Sequence, residues 1–146
     1  MDRTHSSINS LLEQATCIAR RSKEAAGEAE STEGYKRRQT EELIKFANDN
    51  GLWIDLSHLN ITYMDRGGEN EVFHDGNVSV VKLNNFEYAG DDLENFFIRI
   101  TAHNKFFGNV PYQMIGFAYN RQKEFCAVLV QPYILAEREA TEDEIA

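Results

Sequence analysis

Apolar residues recur along this chain at two different periods, and the change of period divides it. From position 7 to 26, Ile8, Leu11, Leu12, Ala15, Ile18 and Ala19 return every three or four residues in an otherwise polar stretch, which predicts an amphipathic helix. A small, acidic interval from 27 to 34 interrupts the pattern. Ser31 or Thr32 is placed to cap a second helix, which carries Leu43, Ile44, Phe46 and Ala47 and stops at Asn50-Gly51. The helical period thus predicts an amino-terminal arm over 1–50, packed on the rest of the chain or held for a partner. Beyond Leu52-Trp53-Ile54 the period shortens to two. Short β-like runs occupy 61–64, 72–73 and 78–83, and Asp75-Gly76-Asn77 supplies hairpin-turn chemistry before the last of them. Between 91 and 106, Leu93, Phe96, Phe97 and Ile100 share one face of a third helix, with Asp91 and Asp92 where the helix dipole favours negative charge. Gly108 and Pro111 end it, and strands follow at 112–119 and 124–130, joined by Asn120-Arg121-Gln122-Lys123. The pattern over 51–146 predicts an α+β domain: a five-stranded antiparallel sheet with one packed helix.

Charge and composition narrow the partners. Twenty-four acidic against 15 basic residues give a net charge of −9, which repels nucleic acid and anionic lipid over most of the surface. The basic clusters Arg20-Arg21-x-Lys23 and Lys36-Arg37-Arg38 fall in helical patterns and read as solvated faces. No apolar run approaches the ~20 residues needed to cross a bilayer, and the first residues lack the apolar core of a secretion signal. Cys17 and Cys126 stand in dissimilar contexts, which suits a reducing cytoplasm. His5, His58, His74 and His103 have no metal-ligand spacing, and no Gly-x-Ser-x-Gly elbow supports hydrolase chemistry.

The candidate chemistry lies around Lys82. Period-two alternation puts Val78, Val80 and Lys82 on one face of their strand, so an ammonium shares an otherwise apolar surface. Such a face suits valines against a flat base and a lysine against phosphate oxygens; the plain alternative is an edge-strand lysine that keeps a sheet soluble. Upstream, Gly67 and Gly68 allow close backbone approach to a ligand, Asn70 tolerates a left-handed conformation, and Val72 is placed to face the same base as Val80. Downstream, Val130-Gln131-Pro132-Tyr133 leaves a strand through a proline. Val130 is expected at the back of the pocket, with the Gln131 carbonyl and the Tyr133 N–H offered to an adenine edge; the alternative is an ordinary strand end.

Loop, strand lysine, helix and two further strands follow the order of a protein-kinase amino-terminal lobe. Asn50-Gly51-Leu52-Trp53-Ile54, Gly68-Glu69-Asn70-Glu71-Val72-Phe73, Val81-Lys82-Leu83-Asn84, Phe96-Phe97-x-Arg99-Ile100-x-x-His103-Asn104-x-x-Phe107, Tyr112-x-x-Ile115-Gly116-Phe117, Gln131-Pro132-Tyr133-Ile134 and Ala140-Thr141 resemble the serine/threonine/tyrosine kinase domain of bacterial polyvalent proteins, over roughly residues 42–146. The resemblance implies ATP-dependent phosphoryl transfer to a protein substrate, in proteins of mobile elements. It places Gly67, Asn70 and Val72 in the loop over the phosphates and Lys82 on the phosphates themselves. Asp65 and Asn70 stand where that loop commonly has its first and third glycines. The kinase pattern also pairs the lysine with a helix glutamate, for which Glu94 is the nearest acid, while His103 and Asn104 either fix the helix end or face the cleft.

Phosphoryl transfer further needs a catalytic aspartate and ligands for Mg2+, which kinases keep in a carboxy-terminal lobe. No His-Arg-Asp or Asp-Phe-Gly occurs up to Ala146, and Thr141-Glu142-Asp143-Glu144 reads as the start of a helix. The expectation is therefore a nucleotide-binding lobe cut before its second lobe and inactive alone: a truncated reading frame, a lobe that a partner chain completes, or a degenerate module. A non-catalytic, pseudokinase-like interaction module and a small α+β domain without nucleotide are the alternatives.

Overall fold

The computed structural model of the protein describes residues 3–26, 32–59, 61–67, 70–74, 79–90, 92–109 and 111–132. Among these residues the elements are α1 (Arg3–Ala26), α2 (Thr32–Asn50), β1 (Thr62–Arg66), β2 (Asn70–His74), β3 (Ser79–Asn84), α3 (Leu93–Phe106), β4 (Gln113–Tyr119) and β5 (Phe125–Pro132), with 3-10 turns at Leu56–His58 and Glu87–Ala89. The five strands form one antiparallel sheet in the order β1-β2-β3-β5-β4. The α+β class, the helical arm and the single helix between the third and fourth strands are as the periodicity predicts. Gly51 adopts the left-handed φ of +64° that ends α2. The 75–78 turn lies outside the described residues, and no described helix is long and apolar enough to cross a membrane.

Register assigns each strand residue to a face, because directly paired residues point the same way. Val72 pairs with Lys82 and Lys82 with Leu129, while Asn70, Asn84, Ala127 and Phe117 form a parallel row. This face carries the larger core, in which Met114, Phe117, Ala127 and Leu129 meet Leu93, Phe96, Phe97 and Ile100 of α3. The opposite face buries Phe73, Val81, Leu83, Cys126 and Val128 under Ile54, Leu56 and Ile61. Leu12, Ala15 and Ala19 of α1 and Leu43 and Ala47 of α2 belong to the α3-side core. The arm therefore packs on the sheet-bearing part: the break at residue 50 separates elements but not cores.

Polar groups fix that packing. Gln39, fully buried on α2, donates from Nε2 to the Ala19 carbonyl at 3.0 Å and to Asp92 at 2.8 Å, and its Oε1 accepts the Leu93 N–H at 2.8 Å. One side chain thus joins all three helices. Arg20 bonds Glu94 at 2.7 Å, and Lys23 reaches both Asp92 and Glu94 at 2.8 Å. The first basic cluster, expected to be a solvated face, instead ties α1 to the start of α3, although Arg20 remains half exposed.

A second junction follows α2. Ile54 N–H donates to the Phe117 carbonyl and Phe117 N–H to the Leu52 carbonyl, both at 2.9 Å, so residues 52–54 lie along the outer side of β4. Gly116 permits the approach: a Cβ there would stand 2.3 Å from the Leu52 oxygen.

Candidate functional site

Alternation along β3 turns Val80, Lys82 and Asn84 toward α3. Lys82 is half-buried between Val72 and Leu129, and its Nζ donates to Tyr112 Oη at 2.9 Å, 5.0 Å from the centre of the ring. Tyr112 is itself held. Its N–H donates to Asn104 Oδ1 at 2.7 Å, its carbonyl accepts from Asn104 Nδ2 at 2.9 Å, and the His103 ring lies 4.6 Å away. Asn104 therefore fixes the end of α3 against the start of β4, and His103 turns to the cleft.

Between β3 and α3 lies a cavity of about 190 Å³. Phe96, Ile100 and Leu129 give it apolar walls, and Asn70, Asn84, Lys82, Arg99, His103 and Tyr112 supply its polar groups. Three of these are cations or become so on protonation, and none is a carboxylate. Asn84 donates to Asn70 Oδ1 at 3.0 Å and receives the Phe86 N–H at 2.9 Å, which settles both amides within the wall.

The expected Lys82–Glu94 pair does not form, and helix geometry gives the reason. At 100° per residue Glu94 lies roughly 160° around α3 from Phe96, whereas Phe96, Arg99, Ile100 and His103 share the face toward Lys82. Glu94 points to α1, where burial works to raise its carboxyl but Lys23 and Arg20 outweigh that and hold it below the ordinary glutamate range. Asp92 is also lowered: burial opposes this, and the bonds from Gln39, Lys23 and the Glu94 N–H prevail. Lys23 and Arg20 are raised in turn, chiefly by these hydrogen bonds.

Val72 and Val80 lie on the Lys82 face, Val80 opposite His74 and Gln131. Gly67 N–H donates to the Asn70 carbonyl at 2.9 Å, closing the β1–β2 connection. Asn70 is extended, as the first residue of β2, and not left-handed; it contributes through its side chain. Gly68 and Tyr133 lie outside the described residues. Val130 needs correction. Paired with Val81, it packs into the opposite core and borders a second cavity of about 580 Å³ near Pro132 and Tyr112. Leu129 holds the position beside Lys82, together with Arg99 and Tyr112, which the residue pattern did not single out. Helical phase counted from Phe96 finds Arg99, whereas Leu129 is found only from the β3–β5 register. Among the described residues no group of three or more His, Cys, Asp and Glu is placed to hold a metal ion, so this cluster does not fit Mg2+.

A sheet ordered β1-β2-β3-β5-β4, with a helix inserted after β3 and a β3 lysine facing it, is the architecture of a protein-kinase amino-terminal lobe. The chain belongs to the family of serine/threonine/tyrosine kinases found in polyvalent proteins, whose model matches residues 36–146. α1, with Arg20 and Lys23, precedes the matched region. No curated protein and no solved structure shows a significant match to the chain.

Proposed function

We propose that this kinase-like chain is the ATP-binding lobe of a protein phosphotransferase, with Lys82 holding a phosphoryl oxygen. The observation that carries the proposal is the half-buried Lys82 ammonium beside a cavity whose polar lining, among the described residues, holds hydrogen-bond donors and cations but no carboxylate. That donor set fits phosphate oxygens, which accept only. Val72 and Val80 extend the same face as an apolar surface for the base, and Gln131 and Tyr133 are the proposed hinge contacts. Gly67, Gly68 and Asn70 form the proposed cover over the phosphates.

Bound ATP would supply the transferable phosphoryl group. The residues here bind and orient it. The aspartates that take the proton from the acceptor and hold Mg2+ come, under this proposal, from a second lobe in the same or a partner chain. A cytoplasmic setting with ATP at hand is part of the proposal.

A thermal-shift titration with ATP tests it. The midpoint should rise with ATP in the wild type and stay flat in Lys82→Ala; an equal rise in both would remove Lys82 from the site. A second reading, a non-catalytic interaction module, is favoured by Phe106 and Phe107, which are 76% and 55% exposed side by side at the end of α3. Sedimentation of the wild type as a clean monomer at every concentration would count against it.

A further inference from the structure

We propose that Arg99 and His103 of α3 bind phosphoryl oxygens directly, alongside Lys82, so that the nucleotide bridges helix and sheet where a kinase ordinarily uses a glutamate. This rests on the ATP-binding reading above and deepens it. The helix face toward Lys82 carries Phe96, Arg99, Ile100 and His103. The described acids at the start of α3, Asp92 and Glu94, point away from that face and are engaged by Lys23, Arg20 and Gln39 at the junction with α1. In a chain of net charge −9, a void bounded by Lys82, Arg99 and His103, with no carboxylate among its described lining residues, is a local inversion of sign. The Lys82 and Arg99 cations repel one another when the void holds only water, and an anion between them relieves the repulsion.

Size narrows the ligand. A cavity of about 190 Å³ is smaller than the ~300–1,000 Å³ of sites that enclose drug-sized molecules, so it takes a phosphate end and not a whole nucleotide. The polar wall agrees with that chemistry. Asn70 uses its side-chain oxygen on Asn84 and has an NH2 group to offer, and the Arg99 guanidinium presents paired donors that match phosphate geometry. Sheet and helix are then joined through the ligand: α3 senses occupancy of the site without a carboxylate as intermediary.

Calorimetric titrations of the full chain with ATP, inorganic tripolyphosphate and adenosine test this in the wild type and in Lys82→Ala, Arg99→Gln, Arg99→Glu and His103→Gln. Arg99 is exposed, so its variants keep the fold, and the thermal midpoint verifies that for each. Arg99→Gln and His103→Gln should each weaken ATP and tripolyphosphate by about tenfold, the scale of one charged hydrogen bond, and leave adenosine unchanged. Arg99→Glu decides between the two arrangements. It creates the lysine–glutamate pair of an ordinary kinase, yet here it should lose on the order of a hundredfold, because it puts a negative charge against the phosphates. ATP affinity in Arg99→Glu at or above the wild-type value would overturn the proposal. So would unchanged affinity in Arg99→Gln and His103→Gln alongside loss in Lys82→Ala, which leaves the ATP-binding reading standing. Tripolyphosphate bound through Arg99 with no response to ATP would support the anion site and remove the nucleotide. Wild type that binds neither removes both.

Discussion

The two sides of α3 treat charge in opposite ways. Toward α1, Asp92 and Glu94 are matched by Arg20, Lys23 and Gln39 at 2.7–2.8 Å. Toward β3, Lys82, Arg99 and His103 surround a void that no carboxylate among the described residues lines, and the described partner of the lysine is a neutral phenol. A completed network of that kind stabilises a fold, whereas a one-signed cluster gains its favourable energy only when a counter-charged ligand arrives. The contrast separates a structural joint from the proposed binding site on one helix of 14 residues.

The contrast breaks most visibly at Gln39. Gln39→Leu strips the Leu93 N–H of its acceptor and Asp92 of a donor in a buried setting, and should cost on the order of 3 kcal/mol in urea unfolding. ATP affinity of the folded fraction should not change. Glu94→Gln should cost about 1–2 kcal/mol, less than a fully buried pair because its partners remain partly in water. It too should leave ATP affinity as it was; a loss there would restore Glu94 as the partner of Lys82.

Acid should act on the α1 side in the same direction. The folded-state carboxyls of Asp92 and Glu94 lie below their ordinary values, so the stability they contribute is present above the unfolded range of about 4 and lost as pH falls through the folded values. The wild type should accordingly lose its advantage over Glu94→Gln below about pH 4, followed by denaturation at stepped pH. Smallest of all, Tyr112→Phe removes the hydrogen bond to Lys82 and keeps the ring. It should change stability by less than about 1 kcal/mol and leave ATP affinity equal or a few-fold tighter, since the ammonium no longer exchanges one acceptor for another. A clear loss of affinity would make the phenol itself a ligand contact.

Much of the fold was legible because periodicity is local. Leu93, Phe96, Phe97 and Ile100 announce the buried side of α3, and the strand boundaries fall within a few residues of the alternating runs. What failed was long-range. Arg20 and Glu94 are 74 positions apart, and nothing in either neighbourhood signals the other. Val130 was misassigned because its facing depends on pairing with Val81, information that appears only once strands are aligned. Residues 52–54 are too few for a period to show, and the reason Gly116 is glycine is the Leu52 carbonyl above it. Glu94 was open to the sequence: counting residues around the helix from Phe96 already turns it away from Lys82.

Residues 52–54 have a consequence for self-assembly. A sheet grows into a neighbouring molecule only at its margins, and the margin along β4 already has a covering strap bonded through Phe117. The other margin, β1, is irregular where pairing slips between Tyr63 and Asp65, and the Arg121 guanidinium sits 4.2 Å over the Tyr63 ring. Neither border presents a long, flat template, so strand addition into filaments is disfavoured at both.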